Sequence, residues 1–170
     1  MKRLENGFTL IELMVTVTIA VVLVTVAIPS LSSVYDKVRS SNSIDSIENS
    51  FTFARSQAVS LGVRVTVCPL SGSTCNTNWI NGYSIFIDNA PFGSKESTDT
   101  VLKEIGAFNT NDFIKSSFLS FSYTPDGMST NSASNTINYC PTSKTSNDSK
   151  GFSLSVSGRL QTITTSVNCS

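Results

Sequence analysis

Apolar positions fall into three regimes along this chain. Residues 8–28, FTLIELMVTVTIAVVLVTVAI, form an almost unbroken hydrophobic run. Beyond it the apolar positions thin to a stripe: Leu31, Val34, Val38, Ile44, Ile47, Phe51, Ala54, Ala58 and Leu61 step mostly by three or four. That spacing keeps one face of a helix apolar, while Asp36, Lys37, Arg39, Asp45 and Glu48 lie largely off it. Pro29, between the two regimes, bends a helix without having to end it. The pattern therefore predicts helix from the apolar run to about residue 61, with Gly62 placed to close it. The stripe is the face against which a sheet packs.

From Val63 the period changes to two, the signature of half-buried strands. Strand-like segments are VRVTVC (63–68), WINGYSIFIDN (79–89), VLKEIG (101–106), FLSFSYT (118–124) and TINYC (136–140). GFSLSVS and RLQTITTSVNC flank Gly158 as a hairpin, and TPDG (124–127) reads as a turn. Loops 70–78, 90–99 and 142–150 are rich in Ser, Thr, Asn, Gly and Lys and are expected on the surface. One long helix followed by many strands predicts an α+β fold. A long N-terminal α-helix, half membrane-spanning and half amphipathic, is expected to pack on a C-terminal antiparallel β-sheet domain.

Residues 8–28 carry one charge, Glu12. As a helix they extend about 32 Å, enough to span a bilayer core. Lys2 and Arg3 precede the run, which puts the N-terminus in the cytoplasm and the remainder outside. A secretory signal has a shorter apolar core and a small-residue cleavage site, so the simplest alternative is a plain signal-anchor. Two features sit badly with it. Gly7 offers an unhindered peptide bond at the cytoplasmic edge. Glu12 lies more than a turn into the run, where a carboxylate costs roughly 3 kcal/mol on insertion. A lone anchor gains nothing from that, whereas a helix packed among like helices can pair Glu12 with a neighbour's positive group. A cut after Gly7 would expose such a group, the amine of Phe8.

Composition narrows the chemistry. Twelve basic and twelve acidic residues cancel, giving no global case for nucleic acid or acidic lipid. The chain has no histidine, which excludes Ser-His-Asp and Cys-His nucleophile systems and histidine metal sites. Asp88, Glu96, Asp99, Glu104, Asp112, Asp126 and Asp148 are scattered, mostly in loop-like contexts, and Asp126 reads as a turn residue. No catalytic set can be assembled from them, and an enzyme is not expected. Clustered Asp-x-Asp oxygens for calcium are absent from the sequence, and neither metal nor cofactor is expected.

The four cysteines, Cys68, Cys75, Cys140 and Cys169, follow an export-like N-terminus, which favours disulfides. A zinc site is the alternative, but CxxC spacing is missing. Three pairings are possible, and the local one, Cys68–Cys75 with Cys140–Cys169, is the simplest. Its two loops contribute roughly 2.5 and 3.6 kcal/mol in the chain-entropy account.

Lys2, Arg3, Gly7, Phe8, Thr9, Leu10, Ile11, Glu12 and Leu13 resemble the leader of type IV pilins and type II secretion pseudopilins. The resemblance implies cleavage between Gly7 and Phe8 by a prepilin peptidase, N-methylation of Phe8, and a register role for Glu12. It also matches Pro29 to the proline that kinks pilin helices. The expected segments are a leader (1–7), a transmembrane or filament-core helix (8–28), its amphipathic continuation (29–61) and a β-rich domain (62–170).

VRVTVCPLSGSTCNTNWINGYSIFID (63–88), YTPDGMST (123–130), TINYCP (136–141) and SLSVSGRLQT (153–162) are similar to the GspH/FimT branch of minor pilins and pseudopilins. That branch implies a FimU/FimT-type minor pilin at or near a pilus tip that promotes assembly, with twitching motility, adhesion and DNA uptake as its outcomes. Expected partners are prepilin peptidase, other minor pilins, the major pilin and, before assembly, the bacterial inner membrane. The β domain is expected in the periplasm and later on the pilus or cell surface.

Two alternatives accompany this reading. Some FimT-type pilins bind DNA through Gly-Arg-x-Arg, and the corresponding stretch here is Gly158, Arg159, Leu160, Gln161, with glutamine in the second arginine's place. Arg159, Lys144 and Lys150 are then the candidate phosphate contacts. The other alternative is a GspH-type minor pseudopilin of type II secretion.

Overall fold

The structure, a computed structural model, describes residues 7–170, apart from the side chains of residues 26–30. Lys2, Arg3 and the rest of the predicted leader before Gly7 lie outside the described residues, as does the ring of Pro29. Helix α1 spans Leu10–Leu61 and runs through position 29. Among the described residues no helix is long and apolar enough to cross a membrane. The apolar run 8–28 continues into residues whose side chains are not described.

The chain divides into two compact units, one ending at Tyr35 and one spanning Asp36–Ser170. In the first, the helical side chains from Leu10 to Val24 are exposed, Leu10 at 77% and Leu23 at 64%. The second contains the rest of α1 and ten strands.

These strands are β1 (Val65–Cys68), β2 (Leu70–Ser71), β3 (Thr74–Cys75), β4 (Tyr83–Ile87), β5 (Thr100–Ile105), β6 (Phe113–Ser116), β7 (Phe121–Tyr123), β8 (Asn135–Cys140), β9 (Lys150–Leu154) and β10 (Leu160–Thr162). They form two four-stranded antiparallel sheets, ordered β5-β4-β1-β7 and β10-β9-β8-β6, and a small β2-β3 hairpin. The stripe on α1 is buried from Ile44 to Ala58. Phe51 lies at its centre, with ring centroids 5.7 Å from Phe121 of one sheet and 5.7 Å from Phe152 of the other. One helix face thus fills the space between both sheets, as the three-to-four spacing requires.

The stripe is shorter than the pattern predicts. Leu31, Val34, Val38 and Leu61 are exposed, whereas Ser40 and Ser50 are buried. Helical period identifies a face but not where its packing partners begin. At the C-terminal end, Gly62 adopts a left-handed φ of 67° and the Val63 N–H donates to Ala58 O, closing the helix.

Several strand boundaries also differ. Trp79–Asn81 is a 3-10 turn, so only Tyr83–Ile87 of the segment 79–89 is strand. Gly82 makes this possible, since a Cβ there would collide with the carbonyl of Ile105. FLSFSYT contributes only Phe121–Tyr123, although Phe118 still packs into the core. FIKS, passed over in the alternation, is β6. The loop 70–78 carries the β2-β3 hairpin. The second arm of the final hairpin ends at Thr162, and residues after it return across β8, where Asn138 Nδ2 donates to Asn168 O at 2.9 Å. Sγ–Sγ bonds join Cys68 to Cys75 and Cys140 to Cys169. The second bond fastens the tail to the end of β8.

Candidate functional site

At the start of α1, Thr9 and Glu12 complete each other. The Thr9 N–H donates to Glu12 Oε2 at 2.9 Å, the Thr9 hydroxyl to the same oxygen at 2.8 Å, and the Glu12 N–H to Thr9 Oγ1 at 3.3 Å. This is a reciprocal capping box: the threonine and the carboxylate three residues on satisfy donors the helix leaves open. Glu12 has no Lys or Arg beside it in sequence, but it does have Thr9. Thr-x-x-Glu before an apolar run is the local signal of such a box, and it stands in the sequence beside the charge pattern. Phe8, Ile11, Glu12, Val15 and Thr16 line an open groove of about 310 Å³ along this end. Phe8 is 87% exposed.

In the second unit, two turns singled out in the sequence meet. Thr124 donates its hydroxyl to Asp126 in the first turn, and this bond holds the Asp126 carboxyl below the usual range. Gly127 and Gly158 both have positive φ, 75° and 72°, and a Cβ on Gly158 would strike the Gly127 carbonyl. Only glycine permits that approach. Arg55 of α1 braces the pair, donating from Nε to Gly127 O at 2.9 Å and from Nη2 to Ser157 O at 3.1 Å. Nothing local in the sequence distinguishes Arg55 from a solvated charge on the polar face of the helix.

The cations named as DNA contacts do not form one cluster. Arg159 is exposed, and its N–H donates to Ser155 Oγ at 3.0 Å. Lys150 stands at the other end of β9 with its ammonium 2.7 Å from Ser41 Oγ. Ser41 and Arg55, the helix neighbours of these two places, are about 21 Å apart along α1. Lys144 lies over the Phe113 ring, 5.6 Å from its centroid.

The scattered acids mostly staple the fold. Asp112 accepts both Arg39 Nε, 2.8 Å, and Arg39 Nη2, 2.9 Å, together with the Tyr139 hydroxyl and the Thr142 N–H. Asp88 accepts from Thr66 at 2.6 Å, yet burial outweighs that bond and raises its carboxyl above the usual range. Asp99 accepts the N–H groups of Asn89 and Glu96, each at 2.9 Å. Among the described residues no group of three His, Cys, Asp or Glu is placed to hold a metal.

The family model described as type II transport protein GspH matches residues 43–159. The model described as the prokaryotic N-terminal methylation motif matches residues 2–28. Two crystal structures of the type IV minor pilin FimU of Pseudomonas aeruginosa strain PAO1 are similar to this chain. One, in space group P21, has TM-score 0.60 and 21% identity over 73% of this chain and 87% of that one. The other, in space group P65, has TM-score 0.58 and 22% identity over 72% of this chain and 91% of that one. No curated protein sequence matches. At such identities the structural likeness establishes the fold: a long N-terminal helix with an antiparallel β domain, the pilin fold.

Proposed function

This chain belongs to the GspH family, and from that premise we propose that it is a minor pilin of a type IV pilus, incorporated at or near the tip and promoting assembly. The observation that carries the reading is the exposed apolar helix headed by Phe8, Thr9 and Glu12, over which the methylation motif matches. Prepilin peptidase cuts between Gly7 and Phe8, and the new amine of Phe8 is methylated. Before assembly the helix resides in the inner membrane, with its N-terminus in the cytoplasm and its β domain in the periplasm. Glu12 then exchanges its local bonds with Thr9 for the positive N-terminus of a neighbouring subunit. Burial of the apolar side chains among other minor pilins and the major pilin supplies the driving force, at roughly 25 cal/mol per Å². Pro29 contributes a bend in the stalk.

Deletion of this protein is the direct test. Loss of surface pili and of twitching motility is expected, with recovery on complementation, whereas normal piliation would reject the assignment. Mass spectrometry of the mature chain tests processing, for which methylated Phe8 is the expected N-terminus.

Membership in the family of type II transport protein GspH supports a second reading, a minor pseudopilin of type II secretion. A deletion that blocks secretion and leaves piliation intact selects it. DNA binding has weaker support, because Lys144, Lys150 and Arg159 provide no joint footprint.

A further inference from the structure

In the second unit an open groove of about 750 Å³ separates α1 from the returning tail. Asp45 and Glu48 stand on its helix side, and Lys150, Gly151, Thr162 and Thr164 on the other. Glu48 is half-buried and Asp45 exposed. Among the described residues neither has an ion pair. Lys150, the cation in the lining, is engaged by Ser41. Burial, with Asp45 as a second cause, raises the Glu48 carboxyl above its usual range. The groove therefore holds an excess of negative charge over its engaged lysine.

It also borders an open strand edge. Ser155 N donates to Arg159 O and Ile163 N to Gly151 O, each at 2.9 Å. Positions 159, 161 and 163 consequently turn their backbone groups toward β9, and those of Leu160 and Thr162 face the open side. The other edges are guarded in ways this one is not. β5 carries Lys103 and Glu104 and pairs with a register irregularity, β6 carries Lys115, and β7 is bridged at Tyr123–Ser129. β10 presents Leu160, Gln161 and Thr162, and the exposed Arg159 stands at its start, at the end away from Thr162 and the groove.

We infer that this groove docks an extended, lysine- or arginine-bearing segment of a neighbouring pilin-fold subunit. The segment pairs its backbone with β10 and sets its cation between Asp45 and Glu48. Charge complementarity chooses this occupant, and the unpaired edge requires it to be extended. The inference rests on the fibre reading above, so its test keeps the two separable.

A photoreactive phenylalanine is placed in the full-length chain, in cells, at Thr164, at Glu104 on the guarded edge, or at Val17 on the apolar helix. Illumination at Thr164 is expected to yield a link to a basic peptide of another pilin-fold subunit, identified by mass spectrometry, while Glu104 yields none. Asp45→Lys with Glu48→Lys should lower that link about tenfold, and the isosteric Glu48→Gln by a smaller factor, with the Val17 links unchanged. The inference is overturned if Thr164 gives no such link while Val17 does. It is equally overturned if the linked peptide lacks Lys and Arg, comes from a protein without the pilin fold, or forms in undiminished yield after charge reversal. Absence of Val17 links instead overturns the fibre reading and removes this inference with it.

Discussion

The Asp112 carboxylate is fully buried and held by three partners, of which only Arg39 brings charge. Arg39 also pairs with Asp36 at 2.8 Å, and Thr142 Oγ1 donates to Asp36 at 3.1 Å. These bonds tie the Asp36–Arg39 stretch of α1 to the loop after β8. Removing the arginine leaves a buried anion without its counter-charge. Arg39→Met is therefore expected to destabilise the fold by about 3–5 kcal/mol in chemical denaturation. Tyr139 shares the pocket, and its hydroxyl is pushed up to about 12, by burial first and by Asp112 next.

Asp88 makes a prediction of the opposite kind. Its folded carboxyl lies above the ordinary range, mainly because burial disfavours the charged form. Between the ordinary value of about 4 and the raised one, the native state binds more protons than the unfolded chain. Stability contributed by Asp88 is thus fully present at low pH and is lost as pH rises through the folded value. Asp88→Asn should flatten that part of the profile. Urea titrations between about pH 4 and 7 measure it, and an unchanged slope would show that Asp88 is not responsible. In sequence Asp88 and Asp112 looked like two more loop acids. Their importance comes from partners 22 and 27 residues away, which local spacing cannot reveal.

At the scale of elements, α1 was the most legible, because its apolar period persists over many turns and its closing glycine is local. The capping box allows the two roles of Glu12 to be separated. Glutamine at this position keeps an oxygen for the Thr9 N–H but has no charge. If Glu12 works by charge, Glu12→Gln should be processed to methylated Phe8 normally yet fail to enter fibres, as measured by immunoblot of sheared pili. If the residue only caps the helix, Glu12→Gln should assemble at the wild-type level. Strands were less legible. β1 and β8 stood out through alternation, but β6 opens on two adjacent apolar residues, Phe113 and Ile114, which break the period, and β2 and β3 have two residues each. Trp79, apolar in a strand-like run, is instead a buried part of a 3-10 turn, stacked 6.1 Å from Phe51.

For the molecule as a whole, the cross-links decide how the tail lies. Cys140–Cys169 closes a separation of 29 residues and holds the tail against β8, with Cys169 N donating to Lys144 O at 2.8 Å. Replacing both cysteines by serine should lower stability by roughly 3–4 kcal/mol, read from the denaturation midpoint. The same change is expected to loosen residues 163–168, which line the groove beside Asp45 and Glu48, and hydrogen exchange of their amides would report it.

Sequence by itself determined the class of this protein. Helical period, the change to alternation at Val63 and the methylation motif over residues 2–28 are properties of neighbouring residues, and the even set of cysteines is a matter of composition. Local chemistry is enough to specify them. Tertiary structure alone decided which part of the stripe is core, that Arg55 joins the Gly127 and Gly158 turns, and that Arg159 stands at the opposite end of the strand pair from Lys150. It also placed Asp45 and Glu48, neither of which has an ion pair among the described residues, beside the edge of β10. Each of these depends on which distant segments fold against one another, and burial and charge pairing act through space without regard to order along the chain.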